Sequence, residues 1–519
     1  MKLQHLATRA ILNASAVKVL RSSPEQCSLD IMTNIRPKCA ALLEEAGLGD
    51  KVATKGQTLW SNRIDSYWSV SAALEPDCMV LPTSAQDVSK IMKVITENQC
   101  KFGIRGGGHG NFALSNSVDE GITVDFGYIN GTTYDEEKNI VSVGPGGHWQ
   151  DVYDTLIPYG LAVAGGRAGT VGVGGFVTGG GNSFYSASHG MACDTVAGWQ
   201  VVLANGEIVE ANANENADLW QAMKGGSGNF GMITRIDMYP IEFVERTSPL
   251  IWGGNLLYKP ESGPAVIDAL IDFTANVPKD ENSSSIVYWA YLPAIAGGTI
   301  LNAAIENTKG VVKPPAFDAY YAVPDIQTDT TVSERLSVVT LELGSGQPPH
   351  FRNIWFTSSF KPNAELLAYV VDKYNKLNED LEVLMPSSES GLNTLCMFQP
   401  LTKSIADKGV ANGGNVMGLD FYTADGDGIM FLLTWAAKGD QTEKDAMPLL
   451  QAYMENIETK AKEMDAFWEW KFINYAHLSQ DPLATVGEAA LAKLRAASKK
   501  YDPEGVFQKL RASGVKIPF

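Results

Sequence analysis

Three glycine clusters, with one histidine among them, hold the residues of this sequence best suited to chemistry. The first reads Arg105-Gly106-Gly107-Gly108-His109-Gly110. Consecutive glycines leave backbone N–H groups bare, so the chain can approach a phosphate closely. An imidazole at the end of such a loop stands beside whatever the loop holds, and its neutral nitrogen is a nucleophile. That nitrogen could bond an electrophilic carbon of a bound ring such as a flavin. His109 could equally be an ordinary loop histidine, because short motifs also arise by chance. The second cluster runs from Gly169-Thr170-Val171 through Gly174 and Gly175 to Gly179-Gly180-Gly181. Its glycine density argues against a packed helix or a central strand and for a cradle around a phosphate or ring edge. In the third, Gly226, Gly228 and Gly231 have GxGxxG spacing. That spacing serves a nicotinamide dinucleotide only where a strand precedes it and a helix follows. Here a helical pattern at 218–223 precedes it and a strand-like run at 232–238 follows. A nicotinamide-binding unit is not supported.

The elements that must position these loops can be read from periodicity. A helical pattern at 33–48 carries a Gly47 break, and Tyr67 and Trp68 read as core aromatics. A short apolar run at 78–81 is followed by Ser84-Ala-Gln-Asp87, a capping-box-like helix start. Val88, Ile91, Met92 and Ile95 then follow helical spacing, and 100–104 reads as a strand leading into the first loop. Strands are expected at 122–126, 140–143 and 161–164, with a helix at 149–157. The runs 199–203 and 207–210, joined by Asn205-Gly206, give the clearest hairpin signal. After about 245 glycine thins and helical stretches appear at 264–276, 363–380 and 442–464, interleaved with strands such as 286–291 and 429–435. The organisation expected is an extension or leader at 1–32, a first unit at 33–245, a second at 246–470, and a tail at 471–519 that returns to the first.

The chain has 519 residues, too many for one ordinary core. Its net charge of -18 disfavours nucleic-acid binding. No run of about 18 apolar residues suggests a membrane span. The residues 1–20 could be a targeting or processing segment or a helix of no special role. None of the six cysteines forms a CxxC pair, and the histidines lack metal-ligand spacing, so no metal site is expected. Sequons occur at Asn13, Asn130 and Asn282. Cys193 reads as a buried thiol and His189 as structural.

Taken in order, RGGGH, GTVGVGGFxxGGG, GMACDTV, LANGEIVEA and GGSGNFGMIT resemble the PCMH-type FAD-binding domain of the vanillyl-alcohol oxidase superfamily. The tail, Asn474-Tyr475 through Lys500-Tyr-Asp-Pro503-Glu-Gly-Val-Phe507, resembles the closing segment of the berberine-bridge-enzyme-like branch. The resemblance covers roughly 35–519 and implies an α+β fold: a two-domain PCMH-type FAD-binding fold with an α+β substrate domain built on an antiparallel sheet.

The resemblance implies FAD bonded through its 8α methyl to His109, with Arg105 to Gly110 as the pyrophosphate loop. It implies Gly169, Thr170, Val171, Gly174, Gly175, Gly179, Gly180 and Gly181 as the second cofactor loop. Gly228, Asn229, Gly231 and Ile233 fall near the adenine half, and Asn474 and Tyr475 near the isoalloxazine. Many members place a second tethering cysteine where this chain has Ala168, so a single bond is expected. Cys39 and Cys100 occupy the positions of the family's disulfide, against the alternative of two free thiols. That pairing implies an oxidising compartment, either secreted or the secretory lumen, with a cytoplasmic or vesicular location as the alternative. The implied reaction passes a hydride from a small organic substrate to flavin N5, with O2 as acceptor and peroxide as product. The substrate would be an alcohol, a sugar or a natural-product intermediate. Val171 matches a position where a small side chain goes with oxygen access. Candidate bases are Tyr475 and Asp420, each with a structural alternative: ring packing for the first, a strand-end or turn residue for the second. A cyclase that uses the same pocket without net oxidation, or a non-catalytic flavin binder, are the competing functions. A monomer or weak homodimer without nucleic-acid or membrane partners is expected.

Overall fold

The computed structural model describes residues 39–344 and 348–519. The expected N-terminal extension and the Asn13 sequon lie outside the described residues. Cys39 is bonded to Cys100, tying the first described helical turn to the chain two residues past the helix Ala85–Asn98. Cys78, Cys193 and Cys396 are buried free thiols.

The helix Ala85–Asn98 starts as its sequence implies: the Ser84 hydroxyl accepts from the Asp87 N–H at 3.2 Å. It buries Val88, Ile91, Met92 and Ile95 against a four-stranded sheet. In that sheet Cys78–Val80 and Phe102–Arg105 flank Ile122–Asp125 in parallel, with Val52–Thr54 antiparallel at one edge. A five-stranded antiparallel sheet follows, with Met232–Met238 between Ile140–Val143 and Val196–Val202. The Asn205-Gly206 turn joins Val196–Val202 to Ile208–Asn212, with Val202 opposite Ile208.

Between Ile251 and Trp468 the chain builds a nine-stranded sheet in which every pairing is antiparallel. The helices Gly263–Asn276, Ala364–Leu384 and Thr442–Glu463 are in the same stretch. Their apolar residues, including Leu270, Leu367 and Leu450, share a core with Trp289 and Trp435 from this sheet. The side chains on the other side of the sheet point at the glycine loops. The tail then adds to the first sheet: the Phe102 N–H donates to the Leu510 carbonyl, and the Ala512 N–H donates to the Phe102 carbonyl.

The second glycine cluster differs from the expected loop in one respect. Val173–Thr178 is a short helix despite Gly174 and Gly175. A Cβ at Gly174 would lie 2.8 Å from the Pro145 carbonyl oxygen, while one at Gly175 would meet nothing within 4 Å. Backbone proximity on one side and open space on the other explain a glycine-rich helix that propensity alone disfavours. The third cluster matches its reading: the helix Ala217–Met223 precedes it and the strand Met232–Met238 follows.

Candidate functional site

A cavity of about 580 Å³ lies between the glycine loops and the nine-stranded sheet. Pockets for small ligands run from roughly 300 to 1,000 Å³. Alternate residues of a strand share a face, so the sheet contributes Ile286, Tyr288 and Ala290 from one strand and Leu395 and Met397 from another. The tail contributes 472–476 and Arg511, Ser513, Gly514 and Val515.

Gly106, Gly107, Gly108, His109 and Gly110 all line the cavity. The first two loops touch backbone to backbone, and a Cβ at Gly107 would sit 2.4 Å from the Gly172 Cα. Gly108 has φ +76, a left-handed conformation open to glycine. The imidazole of His109 stacks on Trp68, with centroids 4.3 Å apart and 11° between planes. The Trp68 backbone N–H donates to the Gly108 carbonyl at 3.1 Å, which ties the backbone that carries the indole to the loop. Desolvation, aided by nearby His148, pushes the His109 pKa down to about 4. At neutral pH the imidazole is uncharged and keeps a free lone pair, the form a nucleophile needs. Trp68, read from sequence as a core aromatic, is instead part of this wall; Tyr67 is buried as expected.

Arg105 is turned away from the cavity. Its guanidinium pairs with buried Asp125 at 3.2 Å, donates to the Arg63 carbonyl and to Ser66, and sits 3.8 Å over the Tyr67 ring. It braces the back of the loop and offers nothing to a phosphate. Val171, Gly174, Gly175 and Gly179 line the cavity, whereas Gly169, Thr170, Gly180 and Gly181 do not. Gly169 donates to the Thr340 carbonyl, Thr170 is exposed, and Gly181 donates to the Asn474 side chain at 3.2 Å. Gly228, Gly231 and Ile233 line the cavity, and Asn229 stands behind them, accepting from Arg511 at 2.8 Å.

Tyr475 and Asn474 both reach the cavity. Arg167 Nη2 donates to Tyr475 Oη at 3.0 Å and to Gln399 Oε1 at 2.5 Å. Arg167 is buried, and among the described residues no carboxylate lies in ion-pair reach of it. Ala168, the residue at the family's cysteine position, also lines the cavity. Asp420 is corrected by the structure. The segment 413–420 is not a strand facing the cavity; it is a loop ending in the helix Leu419–Tyr422, with Asp420 exposed. It does not line the cavity. His189 is half-buried, hydrogen-bonded to Ser188 at 2.7 Å, outside the cavity.

Sequence reasoning missed Arg167, Gln399 and Arg511, and it missed a buried acid. Glu306 is on the strand Gly298–Asn307, 1% exposed, with Oε2 lacking any hydrogen-bond partner. Burial raises its pKa to about 8, opposed by the Arg167 charge and reinforced by Glu342. Tyr288, which lines the cavity, is pushed up to about 12 by burial and by the Glu306 charge. Glu306 follows Ala303, Ala304 and Ile305 and precedes Asn307 and Thr308, a strand end at which a carboxylate is ordinarily solvated, so no local signal marks it as buried.

These residues fit FAD. The cavity has the needed scale, Gly175 opens into it, and the neutral His109 and the uncompensated Arg511 face it. Residues 76–212 match the model of the FAD binding domain family. The chain is 35% identical over 520 residues to an FAD-dependent monooxygenase of Aspergillus calidoustus, covering 98% of this chain and 95% of the relative. It is 34% identical to an FAD-dependent monooxygenase of Emericella nidulans (94% and 99% covered) and 31% identical to the bifunctional solanapyrone synthase of Alternaria solani (92% and 88%). Among solved structures, the glucooligosaccharide oxidase from Acremonium strictum shares the fold with a TM-score of 0.72 at 19% identity, covering 92% of this chain and 99% of that one. Berberine bridge enzyme does so with a TM-score of 0.71 at 15% identity (92% and 98%). The chain belongs to the berberine-bridge-enzyme-like family of FAD-linked oxidoreductases, with a PCMH-type FAD-binding domain.

Proposed function

We propose that this enzyme carries FAD on one covalent bond from His109 and oxidises an apolar small molecule bearing one acidic O–H, N–H or C–H group. The observation that carries the reading is the uncharged His109, stacked on Trp68 at the wall of a cavity whose other wall presents Tyr475 held by Arg167. FAD, when bound, supplies a hydride acceptor and passes the electrons on to O2. His109 offers a neutral ring nitrogen for the tether, and Ala168 offers no thiol for a second one.

Tyr475 is the group placed to take the substrate proton. Its oxygen accepts from Arg167, so negative charge developing there meets a fixed cation. Gln399 Nε2 also reaches that oxygen, at 3.4 Å. The substrate loses a hydride and a proton; O2 gains two electrons and two protons and leaves as H2O2. Ile286, Ala290, Leu292, Leu395, Met397 and Leu432 leave few polar partners for hydroxyls. That wall favours an aromatic or aliphatic natural-product intermediate over an oligosaccharide, whose hydroxyls would be left unpaired. A second reading, insertion of one oxygen atom into the substrate, is favoured by the names of the Aspergillus and Emericella relatives.

The test has two parts. Acid-precipitated protein should stay yellow and carry the mass of one FAD. Turnover under ¹⁸O2 should then release labelled peroxide and leave the product unlabelled; label in the product would replace the oxidase reading with the monooxygenase one. Colour lost wholly to the supernatant would remove the tether.

A further inference from the structure

Arg511 is a buried cation without an anion. It follows the helix Val506–Lys509 and is 3% exposed, yet it lines the cavity. Its Nη2 donates to Asn229 Oδ1 at 2.8 Å and to the Val515 carbonyl at 2.6 Å, and its Nε to the Phe507 carbonyl at 3.4 Å. No described residue accepts from Nη1. A Cβ at Gly228 would stand 2.8 Å from Nη1 and one at Gly514 3.2 Å, so two glycines keep the space beside it clear.

Among the described residues no carboxylate lies in ion-pair reach of the guanidinium. Desolvation alone lowers its pKa to about 9. A second cation, Lys516, crowds the same turn: its Nζ donates to the Phe507 and Arg511 carbonyls, and burial with the Arg511 charge pushes it down to about 6. Asp502 is the nearby acid acting on Lys516, and it already accepts from the Val506 and Phe507 N–H groups. Buried charge of this kind is costly unless a ligand compensates it. Arg105, the arginine of the glycine loop, is paired with Asp125, which Arg63 also bonds, and does not line the cavity.

We infer that Arg511 is the cation that meets the diphosphate of the bound dinucleotide, through Nη1, with Asn229 positioning it. The inference rests on FAD as the cofactor but not on the covalent bond, so it is tested without that bond. In full-length His109→Ala protein the flavin is held reversibly, and the dissociation constants of FAD and riboflavin can be read by flavin fluorescence. Adding Arg511→Gln should weaken FAD by roughly 10- to 100-fold, the scale of a charge-assisted hydrogen bond, and leave riboflavin unchanged. Equal losses for both flavins, or FAD affinity within about twofold of the parent, would overturn it. If Arg511→Gln does not fold, a crystal structure of the holoenzyme decides. Nη1 within about 3 Å of a diphosphate oxygen supports the assignment, and a nearest phosphate oxygen beyond hydrogen-bond range overturns it.

Discussion

The Trp68 indole lies flat on the His109 imidazole, 4.3 Å between centroids. The stack fixes the plane of the ring, and the bond from the Trp68 backbone N–H to the Gly108 carbonyl holds the two backbone segments together. Ring orientation and neutrality are the two conditions a tethering nitrogen must meet. His109→Ala is expected to leave precipitated protein colourless, and a tryptic digest of the unsubstituted enzyme should yield one flavin-bearing peptide, containing His109. A second flavin peptide containing Ala168 would contradict the single bond.

The same imidazole gives the flavin-free protein an acid sensitivity. The folded pKa of about 4 lies below the ordinary 6.5, so the unfolded chain binds the proton more readily between those values. Stability is full above about pH 6.5 and falls as the pH drops toward 4, by no more than about 3 kcal/mol. His109→Gln should flatten that part of the melting curve against pH, as read by calorimetry.

Tyr475→Phe removes the proposed proton acceptor while keeping the ring against Trp355 and Phe472. Substrate-driven flavin reduction in stopped flow should slow by about 10²- to 10⁴-fold. Asp420→Asn, on an exposed turn, should leave it unchanged. An unaltered rate in Tyr475→Phe would remove the tyrosine from the chemistry.

Glu306 predicts the opposite pH trend from His109. Its folded pKa of about 8 lies above the ordinary 4.5, so the folded protein holds the proton more tightly. That contribution is complete below about pH 4.5 and is lost as pH rises to 8, up to about 5 kcal/mol. Glu306→Gln should therefore melt higher than the parent at pH 8 and close to it at pH 5, as measured by thermal unfolding.

The bond between Cys39 and Cys100 closes a loop with a sequence separation of 61. Chain-entropy reasoning puts its contribution at about 4 kcal/mol. Cys100→Ser, or reduction before a denaturant titration, should lower the unfolding free energy by that order. Alkylation of unfolded protein should label Cys39 and Cys100 only after reduction, and Cys78, Cys193 and Cys396 without it.

Much of this architecture was legible because local signals and tertiary demands agree. Ser84 caps its helix, Asn205-Gly206 turns its hairpin, and 232–238 is a strand to the residue. The glycine loops were legible as close-approach backbone. Side-chain direction was not. Arg105 stands in the motif and points away; Arg511 stands outside it and points in. Which way a guanidinium turns depends on where Asp125 and Asn229 are, and both are brought in by other strands and loops. Asp420 failed because a run resembling a strand was interrupted by Gly413, Gly414 and Gly418, all at left-handed φ. Glu306 is hidden because its burial comes from the packed fold and not from its neighbours in sequence, Ile305 and Asn307.

The backbone exchange of Phe102 with Leu510 and Ala512 has a consequence for timing. One wall of the cavity is assembled from residues made some four hundred positions after the histidine loop. A ribosome-bound chain lacking that segment has the nucleophile but no enclosed chamber around it. Under the proposed tether, a chain cut short before Arg511 should therefore leave no colour in its acid precipitate.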